Sequence, residues 1–290
     1  MSPLLPDAVK ALWADGPGQG RTTGDLMAEQ DRLIGEYAHQ WADALTLPGR
    51  GALLDSLASE IAELTRFTDP DEVRRRWKSA VTDVRDEWRT RVTGDLDPAA
   101  VTAFYDQSEA YIFDLMAWHS LVDDNGPLAY VVALRFAQQR GCRDYLDFGS
   151  GVGSGAILFG RHGLSIALAD ISSNLLVFAR ARCEMRGLAA AYIDLKSSGL
   201  PDRSFDMVTA MDVWEHLTDP VDTASQIAKS IKPGGFLFGR FAAEPDENHP
   251  QHIVYDFEPT FRRLHEEGFV EVWRDEWLWG HQAFQKRASE

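Results

Sequence analysis

The segment from residue 144 to 155 reads Asp144-Tyr-Leu-Asp-Phe-Gly-Ser-Gly-Val-Gly-Ser-Gly155. Its first half, Tyr145 to Phe148, is a short and mostly apolar run that predicts a buried β-strand. Glycine then recurs at every second position from Gly149 to Gly155, which lets the backbone take positive φ and lets a ligand approach without meeting a Cβ. Residues 156–159 predict the start of a helix whose free N–H groups would face that ligand. A strand, a glycine turn and a helix in this order indicate the opening of a nucleotide-binding βαβ unit.

The spacing of the glycines separates two kinds of nucleotide-binding unit. The dinucleotide fingerprint G-x-G-x-x-G requires its third glycine where this chain has Ser154. Here an acid at the end of the strand, Asp147, precedes Gly149, Gly151 and Gly153. In this arrangement the segment resembles the first motif of the class I S-adenosylmethionine (SAM) methyltransferases.

Two further strand ends extend the resemblance. The run 164–169 predicts a second strand, and Asp170 at its end lies 23 residues beyond Asp147. That separation is close to the one expected for a carboxylate that binds ribose hydroxyls and would repel a 2′-phosphate. A third strand is predicted at 190–193. The resemblance implies that the following residues, Asp194 and Leu195, lie near the adenine amino group.

The rest of the core follows the same family in order and spacing. Phe205 opens a predicted fourth strand, and Met211-Asp212 closes it. Residues 213–217 resemble the "EHL" segment that follows this strand in many small-molecule methyltransferases. A turn at 232–235 leads into a fifth strand at 236–241, and the last strands are predicted at 269–273 and 277–284. The resemblance covers roughly residues 126–287. It implies an α/β fold, a Rossmann-like doubly wound sheet of the seven-stranded class I methyltransferase type at 126–290, preceded by an α-helical region at 1–125.

Helical spacing of apolar residues dominates residues 1–125 and predicts helices within 26–45, 54–64, 73–92 and 98–118. The last of these is unusually aromatic. Such a stripe is more often core than part of a binding site, but it directly precedes the core, where relatives of the family carry a lid over SAM. Tyr105 and Tyr111, which have polar tips on apolar rings, suit the wall of a half-wet pocket.

The cofactor implied by the resemblance is SAM. The residues predicted to bind it are Tyr105, Tyr111, Asp147, Gly149, Ser150, Gly151, Gly153, Asp170, Ile171, Asp194, Leu195, Met211 and Asp212.

Methyl transfer from a sulfonium is an in-line displacement, so much of the rate enhancement can come from positioning. An amine acceptor must arrive unprotonated, whereas a hydroxyl gains from a base tuned near neutral pH. The loops after strands four and five offer the candidates, and the predicted catalytic residues are Glu215, His216, His249 and His252. For any single histidine a structural role stays open. His249 and His252 could ligate a metal, but the sequence shows no clear third ligand, so no metal is predicted.

The composition and net charge limit the binding partners and the cellular compartment that we expect for this protein. The chain has 290 residues and a formal net charge of −16, from 45 acidic and 29 basic residues, which argues against a nucleic-acid partner. Two cysteines make no disulfide framework. The sequence shows neither a signal peptide nor an apolar run long enough to span a membrane, so we expect a cytoplasmic protein with no membrane partner. A homodimer stays open.

The sequence therefore predicts a SAM-dependent methyltransferase that acts on a nitrogen or oxygen of a small-molecule acceptor. Its richness in Ala, Arg, Gly and Asp suggests a GC-rich bacterial source, and hence a specialised metabolite or a sugar unit as acceptor. Two alternatives are a non-catalytic SAM-fold interaction module and a protein methyltransferase. An NAD-dependent oxidoreductase is disfavoured by Ser154.

Overall fold

A computed structural model describes residues 3–92, 96–241, 246–276 and 278–288. The helices within these ranges are α1 (Leu5–Asp15), α2 (Thr23–Leu45), α3 (Leu53–Leu64), α4 (Pro70–Trp77), α5 (Ala80–Arg91), α6 (Pro98–Gln107), α7 (Ala110–Trp118), α8 (Asn125–Gln139), α9 (Ser154–Arg161), α10 (Ser173–Met185), α11 (Pro220–Ser230) and α12 (Glu258–Glu266). The strands are β1 (Asp144–Phe148), β2 (Ser165–Asp170), β3 (Ala190–Asp194), β4 (Phe205–Ala210), β5 (Ile231–Gly239), β6 (Phe269–Arg274) and β7 (Gln282–Lys286).

One seven-stranded sheet organises the molecule, with the strand order β3-β2-β1-β4-β5-β7-β6. β1 pairs in parallel with both β2 and β4, whereas β7 runs antiparallel to β5 and β6. The chain winds outward from β1 in one direction and then restarts with β4 on its other side. This reversal opens a crevice at the carboxyl ends of β1 and β4, where open α/β sheets bind ligands. The order confirms the predicted fold class.

The helical region and the sheet share one apolar core. Trp41 of α2 is fully buried, stacks on the Tyr130 ring of α8 at 5.7 Å, and donates its indole N–H to the His119 carbonyl oxygen at 2.9 Å. The same cluster of buried side chains continues from α1 and α3 to β1 and α9. The division of the chain at residue 125 stays a prediction.

Two predicted helices are each broken into two. The stretch 73–92 forms α4 and α5, and the stretch 98–118 forms α6 and α7. At the second break Ser108 is extended, with its hydroxyl donating to Glu87 at 2.6 Å and accepting from the Tyr111 N–H at 3.3 Å. Apolar spacing continues across both breaks, so the period alone could not reveal them.

Three smaller differences concern the ends of the chain and of the sheet. Helices α1 and α12 were not predicted from the sequence, and β5 begins earlier than predicted, at Ile231. The last strand was predicted at 277–284, whereas β7 covers Gln282–Lys286. Trp277 lies outside the described residues. No helix in the described ranges combines the length and apolar content that crossing a bilayer requires.

Candidate functional site

The glycine loop, residues 149–153, connects β1 to α9. Gly149, Gly151 and Gly153 all have positive φ, between 51° and 76°, which favours glycine at each position. A Cβ on Gly149 would lie 2.4 Å from a methyl of Val213 in the loop after β4. The N–H groups of Gly149 and Ser150 both donate to the Ala169 carbonyl oxygen of β2, at 2.8 and 3.1 Å. The loop is therefore held against the ends of β2 and β4.

Asp147 lies beneath this loop rather than in front of it. Its carboxylate accepts hydrogen bonds from the Ala156 N–H at 3.0 Å and from the hydroxyls of Thr209 and Tyr130 at 3.2 and 3.3 Å. It is fully buried, and burial raises its pKa to about 7. Asp147 thus braces the start of α9, and its role as a cofactor contact stays a prediction.

Asp170 occupies the end of β2 and reaches the loop from the side. One carboxylate oxygen accepts from the Gly151 N–H at 2.8 Å, and the other accepts from the Ser172 N–H at 2.8 Å. Burial raises the pKa of Asp170 to about 6, while these N–H groups act in the opposite direction. Unlike Asp147, Asp170 lines a cavity.

This cavity has a volume of about 330 Å³ and lies over the carboxyl ends of the strands. Its floor is the glycine loop with Asp170. Its roof consists of residues from α6 and α7, namely Val101, Thr102, Tyr105, Tyr111, Leu115 and Trp118. The residues predicted to bind a cofactor that line it are Tyr105, Tyr111, Gly149, Ser150, Gly151, Asp170, Ile171, Leu195, Met211 and Asp212.

Gly153 and Asp194, like Asp147, were predicted to bind the cofactor but do not line the cavity. Gly153 precedes α9, and a Cβ there would lie 2.8 Å from the Cβ of Ala179, so its lack of a side chain serves packing. Asp194 accepts hydrogen bonds from the Ser173 hydroxyl at 2.7 Å and the Lys196 N–H at 2.9 Å. It therefore belongs to a polar cluster with Lys196 and Asp106, which pair at 2.5 Å.

The loop after β4 carries two acidic residues, Asp212 and Glu215. Asp212 has a positive φ of 48° and pairs with Arg240 at 3.4 Å. Glu215 is 5% exposed, and one of its carboxylate oxygens, Oε2, has no hydrogen-bond partner among the described residues. Burial and the neighbouring Asp212 raise the pKa of Glu215 to about 8.

His216 connects this loop to the roof. Its Nδ1 lies 2.9 Å from the Tyr105 hydroxyl and 3.3 Å from the Gln251 carbonyl oxygen. The His216 and His252 rings are 4.8 Å apart. Burial, with a contribution from His252, lowers the pKa of His216 to about 3, and burial lowers the pKa of His252 to about 4. Both imidazoles are therefore uncharged at neutral pH.

Of the four predicted catalytic residues, only His216 lines the cavity. Glu215 and His252 lie with it in a cluster that could hold a metal ion, with one potential ligand atom from each within 4.8 Å of the others. His249 is further out, where its Nδ1 pairs with Asp246 at 2.6 Å and its ring stacks on His252 at 5.1 Å. Glu244, which precedes these residues in the same connection after β5, lies outside the described residues.

Sequence reasoning missed several parts of the site. His119 and Tyr130 line the cavity, as does one face of α11. Arg182 of α10 is fully buried and donates to the Val152 carbonyl at 2.6 Å and the Ser154 hydroxyl at 2.9 Å, which supports the glycine loop from behind. A signal for Arg182 was present, because it shares a helical face with Leu175 and Ala179.

The charge of the cavity fits a cationic ligand. Its acidic lining residues are Asp170, Asp212, Asp219 and Asp222, and no Lys or Arg lies among the described lining residues. The Ser150 hydroxyl also lines it, buried and without a hydrogen-bond partner among the residues described. A sulfonium such as that of SAM matches this lining, whereas a pyrophosphate would be repelled.

Comparison with known proteins identifies similar sequences for the core. Residues 146–239 match the family described as "Methyltransferase domain". A ubiquinone biosynthesis O-methyltransferase of Methylococcus capsulatus is 32% identical over 99 residues, which cover 33% of this chain and 42% of that relative. A ubiquinone biosynthesis O-methyltransferase of Vibrio cholerae is 28% identical over 149 residues, which cover 50% of this chain and 60% of that relative. The chain thus spans about half the length of these relatives.

Two solved methyltransferase structures are distantly similar to parts of this chain. Phosphoethanolamine N-methyltransferase 2 of Haemonchus contortus, in complex with S-adenosyl-L-methionine, is 24% identical over 44% of this chain and 33% of that chain, with a TM-score of 0.38. An S-adenosylmethionine-dependent methyltransferase from Mesorhizobium loti is 17% identical over 55% of this chain and 98% of that chain, with a TM-score of 0.43.

Proposed function

Because the core of this chain is a class I, SAM-dependent methyltransferase domain, we propose that the protein binds SAM and methylates an oxygen or nitrogen atom of a small molecule. One observation carries the proposal: a single cavity joins the glycine loop and Asp170 to a roof that includes Tyr105 and Tyr111. Its volume, about 330 Å³, is within the range of small-molecule sites.

SAM supplies a methyl group on a positively charged sulfur. In this proposal Asp170 binds the ribose hydroxyls, and Leu195 lies by the adenine. The glycine loop brings backbone close to the cofactor because Gly149 and Gly151 have no side chains. Tyr105 and Tyr111 exclude water above the sulfonium, and exclusion of water strengthens the attraction between the cofactor and the buried carboxylates.

The acceptor is proposed to enter beside His216 and the polar face of α11, which includes Asp222, Thr223 and Gln226. With a pKa of about 3, His216 is a weak acceptor for the proton of a hydroxyl. We therefore assign His216 to positioning of the acceptor. An amine that arrives unprotonated would need no base, and a hydroxyl would need another means of activation.

Among small molecules, a specialised metabolite or a sugar unit stays our proposed acceptor class. The relatives named as ubiquinone biosynthesis O-methyltransferases favour oxygen as the acceptor atom. The roof favours a small molecule over a protein acceptor, because it covers the cavity with apolar side chains. It also favours an enzyme over a non-catalytic interaction module, which would need no closed space beside the methyl group.

Two measurements test the proposal in order. Calorimetric titration with S-adenosylhomocysteine, run beside NAD, should give binding of the first ligand alone. Incubation with SAM and panels of phenols, sugars and amines should then give products heavier by one methyl group. Preferential binding of NAD would refute the proposal, and cofactor binding with no product from any panel would favour the non-catalytic alternative.

A further inference from the structure

We propose that Glu215, His216 and His252 form a binding site for one divalent transition-metal cation at the edge of the cavity. No metal was predicted from the sequence, because the pair His249 and His252 had no clear third ligand. The fold instead pairs His252 with His216 and supplies the third group from Glu215, next to His216 in the chain.

The spacing of the three groups suits a single ion. Their potential ligand atoms all lie within 4.8 Å of one another, and the two imidazole rings meet at 69° with their centroids 4.8 Å apart. Metal–nitrogen and metal–oxygen bonds of about 2.0–2.2 Å require ligand atoms somewhat closer than this. Side-chain movements of about 1 Å would bring the three atoms to that distance.

An unsatisfied carboxylate oxygen points independently to a missing partner. Glu215 is buried, with 5% of its surface exposed. Its Oε2 atom has no hydrogen-bond partner among the described residues. A buried polar atom without a partner is costly. The nearby guanidinium of Arg240 is paired with Asp212 instead. A bound cation would satisfy Glu215.

The histidines are available as ligands. His216 Nδ1 lies 2.9 Å from the Tyr105 hydroxyl and 3.3 Å from the Gln251 carbonyl oxygen. With the proton on Nδ1, both oxygens can accept from it, and Nε2 keeps a lone pair for a cation. Metal-ligating histidines are commonly oriented by such a carbonyl. The ring nitrogens of His252 make no hydrogen bond to any residue in the described ranges.

Two imidazoles and one carboxylate select the kind of cation. This set suits Zn²⁺, Mn²⁺ or Fe²⁺, whereas Mg²⁺ and Ca²⁺ prefer oxygen ligands throughout. His216 also lines the cavity, so an open coordination position would face the acceptor. There the cation would lower the pKa of an acceptor hydroxyl, whose proton would pass to water before its oxygen takes the methyl group. This role rests on the proposed function; the cation site itself does not.

The test uses the full chain after removal of metals with a chelator. Calorimetric titrations with MnCl₂ and with ZnCl₂ should each show one cation per chain. Glu215→Gln, which keeps the shape of the side chain, and His252→Ala should each weaken binding by at least about 10-fold, since even groups that only orient a ligand cost that much. His265→Ala, which removes an exposed histidine of α12, should leave the affinity within about twofold.

Absence of stoichiometric binding by the wild type would overturn the proposal, as would an equal loss of affinity in His265→Ala. If Glu215→Gln fails to fold, His252→Ala decides alone, because His252 is only half-buried. S-adenosylhomocysteine titrations on the same samples separate the two proposals. Cation binding without cofactor binding would refute the proposed function and leave the site standing, and the converse would refute the site alone.

Discussion

Asp147 and Asp170 are buried carboxylates at the ends of adjacent strands, yet their surroundings give them different tasks. Both oxygens of Asp147 accept hydrogen bonds from inside the protein, and no edge of the group faces the cavity. Asp170 is held by two backbone N–H groups and still faces the cavity. The lone pairs not used by those N–H groups are available to a ligand.

Replacement of Asp170 by Asn should therefore weaken S-adenosylhomocysteine binding. Each charge-assisted hydrogen bond lost costs about 1.5–3 kcal/mol, which corresponds to a loss of affinity of at least about 10-fold. Asp144→Asn is the matched control, because Asp144 is a β1 aspartate that pairs with Lys232 and does not line the cavity. Calorimetry should show a normal affinity for the control. Equal affinities in both variants would remove Asp170 from the proposed site.

Asp147 should make stability depend on pH. Its pKa is raised from 3.8 to about 7, so between these values the folded protein holds a proton that the unfolded chain has released. The contribution of this group to stability therefore falls as pH rises from about 4 to 7 and is constant above that. Urea unfolding at pH 5 and at pH 8 tests this. From pH 5 to pH 8 the free energy of unfolding should fall by on the order of 2 kcal/mol more in the wild type than in Asp147→Asn. Identical pH differences in the two proteins would contradict this account.

At the scale of elements, the break between α6 and α7 shapes the roof. Because Ser108 is extended, the chain turns there, and Tyr105 and Tyr111 approach each other with ring centroids 5.4 Å apart. An unbroken helix would separate residues 105 and 111 by about 9 Å along its axis. The hydrogen bond from Ser108 to Glu87 of α5 therefore stabilises the turn that brings the two aromatic side chains together over the cavity.

The roof should become more protected when ligand binds. Hydrogen exchange in residues 98–118 should slow with S-adenosylhomocysteine, because closing a lid orders its backbone. Exchange in α12, which does not line the cavity, serves as the internal control and should be unchanged. If both segments respond alike, or if neither responds, the aromatic side chains of α6 and α7 are ordinary core.

Helix α10 supports the glycine loop through one arginine. Replacement of Arg182 by Met should lower the free energy of unfolding by about 3–5 kcal/mol, the range for breaking a buried ion pair. It should also weaken S-adenosylhomocysteine binding, because Val152 and Ser154 lose a donor. Arg180→Met, at an exposed position of the same helix, should change neither quantity by much. Chemical unfolding and calorimetry measure the two effects, and normal affinity in a destabilised Arg182→Met would limit this arginine to stability.

At the scale of the whole molecule, the sequence predicted what short stretches encode. The strand, glycine turn and acid of each βαβ unit are local, so the sheet and most of the cavity floor followed from them. The helix breaks did not, because apolar spacing runs through residues 78–79 and 108–109 unchanged. Contacts between residues far apart in the sequence could not be predicted either. Glu60 and Arg182 are 122 positions apart, and His252 lies beside Glu215 only because of the fold.

A buried ion pair joins helix α3 to helix α10. Glu60 of α3 and Arg182 of α10 are both fully buried and pair at 2.7 Å, and Arg186 pairs with the same carboxylate at 2.6 Å. Burial would raise the pKa of Glu60, but the two guanidinium groups lower it below its usual value.

This shared carboxylate limits how the two regions can be recombined. In a chimera, these helices on a different catalytic core would carry Glu60 into an interior without its arginines, and the reciprocal chimera would bury two uncompensated cations. Either chimera would lose more stability than the loss of apolar contacts alone would cause. The helical region and the core are thus expected to be inherited and engineered as one unit, and a successful swap would have to transfer residues 60, 182 and 186 together.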